Sequence, residues 1–329
     1  MMAMDTRRND NREVWDALVH DMQGHPLQLW GWGQLKSRHN WRVIRVEVHD
    51  GDTIIGGAQL LIRPLPRPFN AFVYVPRGPF ALPGRETEVL DRVADFVRLN
   101  CNAVLLSIEP DAANYPVSAE WRRAAHTILI PRTLILDLSQ PLEQLLAAMT
   151  KKTRQYIRKS EREPLEIRRV TSHDDITACL EIYHQTAQRA GFALHDDQYY
   201  HDLHDEMGES SIIVASYHDG QPVAFLWLAL SATTAFELYG GMNDLGQQLR
   251  ANYSLKWHAI TTCKGWGVAR YDMNGLLNDG VSTFKQGFAS HETMLAGTYD
   301  LPLSPLYFAW TKGLPFAKKT IRRLKSLRK

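Results

Sequence analysis

Polar and apolar positions along this chain follow two periods, and the switches between them mark out its elements. From Glu13 to Met22 apolar residues recur at helical spacing, closed by Gly24 and Pro26, and Trp30 to Lys36 predicts a second, short helix. Trp41 to Val48 alternates as a strand, His49-Asp50-Gly51-Asp52 turns, and Thr53 to Arg63 returns, which predicts a hairpin. Ala71 to Val75 gives a third strand. After the breaker-rich PRGPFALPG come a helix, Glu86 to Asn100, and an apolar strand, Ala103 to Ile108. The second half repeats this order. Ser211 to Tyr217, the bend His218-Asp219-Gly220-Gln221 and Val223 to Leu230 form the same hairpin. Ala235 to Tyr239 is its third strand, Ala251 to Lys264 its helix and Ala269 to Met273 its last strand. Gly51 and Gly220 lie 169 residues apart, and Ile108 and Met273 lie 165 apart, so the spacing holds across the unit and predicts an internal duplication. Asp174 to Ala190, ended by Gly191, and a helix capped by Asp196 or Asp197 and running to Met207 complete the second copy.

Between the copies, LEQLLAAMTKKTRQYIRKSER (142–162) predicts one helix with two faces. Leu142, Leu145, Leu146, Met149, Thr153, Tyr156, Ile157 and Ser160 share the side that packs. Lys151, Lys152, Arg154, Arg158, Lys159 and Arg162 cover most of the rest. Ser139, Pro141 and Glu143 give a start signal and Pro164 a stop. The basic side reads either as a solvated surface or as a platform for a polyphosphate or nucleic acid. The run follows a strand-like stretch, Thr133 to Leu138, where two domains are expected to meet. The first is expected over 1–138, completed by 303–329, and the second over 139–302.

Composition narrows the class. A chain of 329 residues, 44% of them hydrophobic, can bury a large core and suits two domains. Cys101, Cys179 and Cys263 are far apart, with no CxxC pair and no histidine cluster at metal spacing; His201 and His204 lack a third ligand, so neither a disulfide framework nor a metal site is expected. The polar N-terminus MMAMDTRRNDNR has no apolar signal core, and the longest apolar run, Val223 to Leu230, is far below spanning length, so a cytoplasmic protein is expected. Net charge is +2, but from Leu301 onward there are eight Lys or Arg and no acid, leaving 30 basic against 36 acidic residues elsewhere. In the tail, Ala317, Ile321, Leu324 and Leu327 fall near helical spacing among those cations. Three fates compete for it: docking on the first domain, grazing the anionic inner leaflet of a membrane, or helping to hold RNA.

The element order predicts an α/β (α+β) fold with a mixed sheet and helices on its faces. It is similar to the GNAT acyltransferase arrangement, here as two tandem domains. Acyl-CoA users of that fold hold the pyrophosphate on a Gln/Arg-x-x-Gly-x-Gly/Ala loop at a helix N-terminus. The equivalent loops, PRGPFALPGRET and GGMNDLGQQLRANY, lack the pattern, so coenzyme A is not expected as donor and no cofactor is expected; a large anionic donor on the basic helix is the substitute.

Three stretches, Leu145 to Arg162, Glu237 to Lys256 and Thr283 to Pro302, together resemble the FemABX peptidyltransferases, and the likeness runs from Gln28 to Pro302. Those are twin-GNAT enzymes that move an amino acid from aminoacyl-tRNA to the stem peptide of a peptidoglycan precursor. No heptad run or long insertion falls between Lys151 and Tyr299, so the chain resembles the armless branch. The resemblance implies that Lys36, in QLWGWGQLK, holds the precursor's phosphates. Trp41 is a further candidate substrate contact, although tryptophan is more often core than a ligand platform. His195 stands where one branch has a second phosphate-binding arginine, and a neutral imidazole supplies far less charge there. Tyr199, Tyr239 and Tyr253 look like the aromatic contacts, and Lys285, in TFKQGF, matches a lysine placed near the acyl ester. Lys151, Lys152, Arg154, Arg158 and Lys159 are the expected tRNA contacts, mainly to phosphate.

Chemistry agrees with a spare site. Ester aminolysis passes through a tetrahedral oxyanion, which needs a fixed positive charge or donor, and Lys285 is the candidate for that. No carboxylate or histidine stands out as general base, and a substrate amine deprotonated on binding, or by the leaving hydroxyl, suffices. Each candidate also has a plain packing role open to it. Lys285 lies beside Phe284 and Phe288, Lys36 beside Trp32, and Tyr239 and Tyr253 suit a core. The expected function is formation of the interpeptide bridge. Alternatives are tRNA-dependent transfer to another amine, such as a protein N-terminus, and a non-catalytic RNA-binding module.

Overall fold

The computed structural model describes residues 4–277 and 280–313. The chain divides into two compact units, one of Met1–Asn11, Lys36–Ile128 and Ala296–Lys329, the other of Arg12–Leu35 and Leu129–Leu295. Residues 314–329, which carry most of the basic tail, lie outside the described residues.

Strands and helices are numbered in chain order. In the first unit one sheet runs β1 (Met4–Arg8), β2 (Arg42–Asp50), β3 (Thr53–Pro64), β4 (Ala71–Pro76), β6 (Leu105–Glu109), β16 (Tyr299–Pro302), β7 (Arg122–Arg123), with β5 (Phe80–Ala81) beside β3. The β2–β3 hairpin turns at Gly51, whose φ of +61° suits glycine. β4 and β6 are parallel, and the crossover this demands is α3 (Glu86–Asn100). Val89, Leu90, Val93, Phe96 and Val97 of α3 pack on Val46, Val48, Ile55 and Ile62 of the sheet.

The second unit repeats the plan: β10 (Glu166–Val170), β11 (Ser211–His218), β12 (Gln221–Leu230), β13 (Thr234–Met242), β14 (Arg270–Asp272), β9 (Ile135–Asp137), with β8 (Arg132–Thr133) and β15 (Thr293–Met294) as a separate pair. Its helices are α1 (Arg12–Asp21), α2 (Trp30–Arg38, which leaves the unit after Leu35), α4 (Leu142–Ala148), α5 (Lys151–Ser160), α6 (His173–Ala190), α7 (Asp197–Met207), α8 (Asp244–Gln248), α9 (Ala251–Gly265) and α10 (Gly280–Gln286). α9 is the crossover between β13 and parallel β14. One face of the sheet, with Ile212, Val214, Leu226 and Leu228, packs in a core with Ile157 of α5 and Leu255, Ala259 and Ile260 of α9. Phe225 and Trp227 lie on the opposite face, against Tyr183 of α6 and Tyr200 of α7. The helix capped by Asp196 is as expected, since its carboxylate accepts from Tyr199 N.

The duplication carries a strand exchange. Leu106 of β6 pairs with Leu301 of β16, and Tyr271 of β14 pairs with Leu136 of β9. Leu106 and Tyr271 are 165 residues apart, and so are Leu136 and Leu301. Each repeat's last strand therefore completes the other repeat's sheet at an unchanged register. The boundaries drawn at 138/139 and 302/303 differ from the structure for this reason, because residues 129–138 lie in the second unit and 296–302 in the first.

The single helix expected over 142–162 is broken. Met149 and Thr150 are extended, and the Thr150 side chain accepts from Thr153 N, starting α5 afresh. Met149 stays in the core. Arg154 Nη1 donates to the carbonyls of Leu146 at 3.4 Å, Ala147 at 3.2 Å and Met149, stitching α5 to the end of α4. Ser139 does not cap; its hydroxyl donates to Asp137 Oδ1 at 2.6 Å.

Leu136 and Leu301 are both buried. In hydrogen exchange, Leu136→Ala is expected to unprotect the amides of β14 and leave β6 protected, and Leu301→Ala to do the reverse. Each truncation should cost about 2–5 kcal/mol.

Candidate active site

Parallel strands that part expose backbone groups and make a cleft, and the two units differ here. In the first, β4 and β6 stay paired from Phe72/Leu105 to Pro76/Glu109. In the second, β13 and β14 pair only over Thr234–Phe236 with Arg270–Asp272, after which β13 continues to Met242 without β14. The parting coincides with an irregularity. Opposite neighbours Trp227 and Leu228 on β12 stand Tyr239 and Glu237, so Leu238 is the extra residue of a bulge. Residues two apart in a strand share a face, but Trp227 and Leu228 do not, so the bulge sends Glu237 and Tyr239 to opposite sides.

On the α9 side, Glu237 is buried and takes Lys256 Nζ of α9 at 2.6 and 2.8 Å and the Tyr271 hydroxyl at 2.8 Å. Burial, then Glu237, push Tyr271 well above the ordinary tyrosine range, so it remains a proton donor. Lys256 Nζ lies 5.2 Å over the Phe284 ring and 5.7 Å over Phe288. Tyr253 packs edge-on against Phe284 at 4.9 Å and Tyr156 at 5.1 Å. Lys285 Nζ donates to the carbonyls of Asn274 and Gly275, both at 3.4 Å. α5 abuts this segment. Thr150 N donates to Gly287 O at 3.0 Å, and a Cβ at Gly287 would lie 2.2 Å from Thr153 Oγ1. The structure thus brings Tyr253, Lys285 and the basic helix together.

Of the five cations expected to meet RNA, Lys151, Lys152, Arg158 and Lys159 are exposed. Arg154 is half-buried, and its Nη1 donates to carbonyls at the end of α4 and of Met149 just beyond it. Arg250, just before α9 in the left-handed region (φ +56°), adds a cation that sequence reading missed, 5.0 Å over the Tyr156 ring, with Lys152 at 5.6 Å over the same ring. The loop 243–250 is no glycine-rich cradle, since α8 occupies most of it.

On the α6/α7 side, Tyr239 joins Tyr183, Tyr200 and Trp227 in one aromatic cluster. Tyr239 and Tyr199 share a hydroxyl–hydroxyl hydrogen bond, and burial raises both. Tyr199 is only 2% exposed, so its ring is a packing surface; exposed His195 stacks on it at 3.8 Å. The bulge therefore divides the residues expected to meet substrate, with His195, Tyr199 and Tyr239 on one face and Tyr253 and Lys285 with the other.

In the first unit, Arg63 lies 5.4 Å over Trp41, which packs on Phe72 at 6.2 Å, and Lys36 and Arg63 repel one another. Glu109, also missed from sequence, is a buried carboxylate that accepts from Tyr74, from Thr298 Oγ1 at 2.5 Å and from Ile128 N at 2.7 Å. The signal for Glu237, Lys256 and Glu109 was there in principle: a charge at a position where the strand or helix pattern is otherwise apolar.

Known proteins share the fold of this chain. The acetyltransferase (GNAT) domain family matches residues 147–286, within the second unit. The lipid II:glycine glycyltransferase of Staphylococcus aureus (strain MRSA252) is 23% identical over 213 residues, 59% of this chain and 50% of that protein. The crystal structure of FemX superimposes with a TM-score of 0.84 at 16% identity, over 93% of this chain and 100% of that one. A tandem GNAT protein from the clavulanic acid biosynthesis pathway gives 0.54 at 10% identity, over 92% and 99%. Fold and match define a mixed α/β protein with two tandem units of the GNAT fold, the family match lying in the second. More particularly, the resemblance to the FemABX peptidyltransferases is borne out by the glycyltransferase and by FemX, although the chain spans half the length of that glycyltransferase. Among the described residues no helix is long and apolar enough to cross a membrane.

Burial, and then Arg63, push Lys36 from 10.5 down to about 8. Its folded value lies below its unfolded one, so the folded chain disfavours the ammonium. That cost is present in full below pH 8 and disappears as pH rises to 10.5. Lys36→Met is therefore expected to raise the melting temperature at pH 7 and to give no gain near pH 10.5; a gain that grows with pH would contradict the assignment.

Proposed function

We propose that the chain is a cytoplasmic aminoacyltransferase that moves an amino acid from aminoacyl-tRNA to the stem-peptide amine of a peptidoglycan precursor, building the interpeptide bridge. The observation that carries this reading is the placement of α5 against the Lys285 segment, beside the parted strands of a GNAT domain. The glycyltransferase relative supports the acceptor. In the reaction the acceptor nitrogen bonds to the ester carbonyl carbon, giving a tetrahedral oxyanion. The intermediate then expels the ribose hydroxyl, and the amine's proton ends on that leaving oxygen. The Lys285 ammonium stabilises the oxyanion; its 3.4 Å contacts with two carbonyls are long, so a charged oxygen competes well for it. The exposed cations of α5, with Arg250, hold the RNA backbone, and Lys36 with Arg63 holds the precursor's phosphates.

Incubating the protein with labelled aminoacyl-tRNAs and purified lipid II or its nucleotide precursor should transfer label to the stem peptide; no transfer from any charged tRNA would reject the reading. Lys285→Ala is expected to lower turnover by about 10²-fold or more while RNA affinity is kept. Replacing Lys151, Lys152, Arg158 and Lys159 by alanine should reduce the slope of log affinity against log salt by about 3.

A further inference from the structure

We infer that Glu237, Lys256 and Tyr271 form a positioning network that fixes the ammonium of Lys285 where β13 and β14 part. This rests on the reading of Lys285 as the oxyanion's partner.

Two routes lead from residue 237 to Lys285. Through side chains, Glu237 holds Lys256 Nζ at 2.6 and 2.8 Å, and that nitrogen sits over the rings of Phe284 and Phe288, which flank Lys285 in sequence. Through the backbone, Glu237 O accepts from Asn274 Nδ2 at 2.9 Å. Asn274 takes a φ of +58°, its N–H donates to Asp272 Oδ1 at 2.8 Å, and Gly275 N donates to Asn274 Oδ1 at 2.7 Å. This turn aims the carbonyls of Asn274 and Gly275 at Lys285 Nζ. A Cβ on Gly275 would lie 2.5 Å from Ile130, so the turn is also pressed into place from behind. Tyr271 comes from β14 and Glu237 from β13, so its hydrogen bond to Glu237 ties the two strands together beside the parting.

Stability does not require this arrangement. Desolvating a buried ion pair costs about as much as its attraction returns, and apolar residues of like volume commonly do as well. What apolar residues cannot supply is a charge over Phe284. The network's contribution is geometry at Lys285, and misplacement by about an ångström of a group that meets a transition state costs turnover more than binding.

The test uses the full chain in two variants, Asn274→Gly and the triple Glu237→Leu/Lys256→Met/Tyr271→Phe. Brief reaction with acetic anhydride, read by peptide mass spectrometry, gives the acetylation of Lys285 relative to exposed Lys159. Both variants are expected to change that ratio by about threefold or more, since a lysine's reactivity follows its surroundings. Both should also lower kcat by about tenfold, with the acceptor KM within about twofold of the parent's. Folded variants with the parental ratio and kcat would overturn the inference. Should the triple variant fail to fold, Tyr271→Phe takes its place beside Asn274→Gly: it removes the hydroxyl that Glu237 accepts from and keeps the ring, while glycine accepts the turn's φ. If the parent transfers nothing from aminoacyl-tRNA, the proposed function fails, and the labelling ratio still decides whether Lys285 is positioned in this way.

Discussion

The parting of β13 from β14 is the constraint on which the second unit depends. Strands that separate leave backbone groups and side chains without their sheet neighbours, and something must hold the two edges at a set distance. Here a bulge at Leu238 begins the separation, and Glu237, Lys256 and Tyr271 span it with a buried charge pair and a hydroxyl. The same bulge turns Tyr239 to the far face, so one irregularity sets up an aromatic cluster on one side and a cationic, phenyl-lined one on the other.

Among the described residues, the two copies differ at this opening. The first unit has the same strand order, but β4 and β6 remain hydrogen-bonded through Glu109, and Glu109 and Tyr74 close that end with a buried hydrogen bond. One copy keeps its strands paired and the other opens them. The exchange of β9 and β16 gives each sheet a strand encoded in the other repeat, so neither repeat completes its sheet from its own sequence.

The fold was legible from the sequence because its signals are local. Hydrophobic period, glycine at bends and the 165–169-residue offset predict most strands and helices within a residue or two, α3 to the residue. The basic run was legible as a helix but not as two, because Thr150 caps α5 from inside an unbroken helical pattern. The exchanged strands are pairings between distant segments, and a strand of three or four residues carries no sign of its partner. At the site, residue types were readable and their neighbourhoods were not. Lys285 and Tyr253 do come together with α5, and Arg154 also donates to carbonyls at the end of α4, a contact that spacing does not show. Glu237 and Lys256 looked like ordinary charges until their burial against each other was seen.

On the function proposed above, this opening serves an RNA-borne acyl group in a fold that it shares with the acetyltransferase (GNAT) domain family. This claim is tested most directly by calorimetric titration of the purified protein with two donors: an RNA microhelix ending in a non-hydrolysable aminoacyl amide, and coenzyme A. The account predicts saturable, salt-sensitive binding of the microhelix and none of coenzyme A. Saturable coenzyme A binding, with the microhelix inert at low salt, would contradict it.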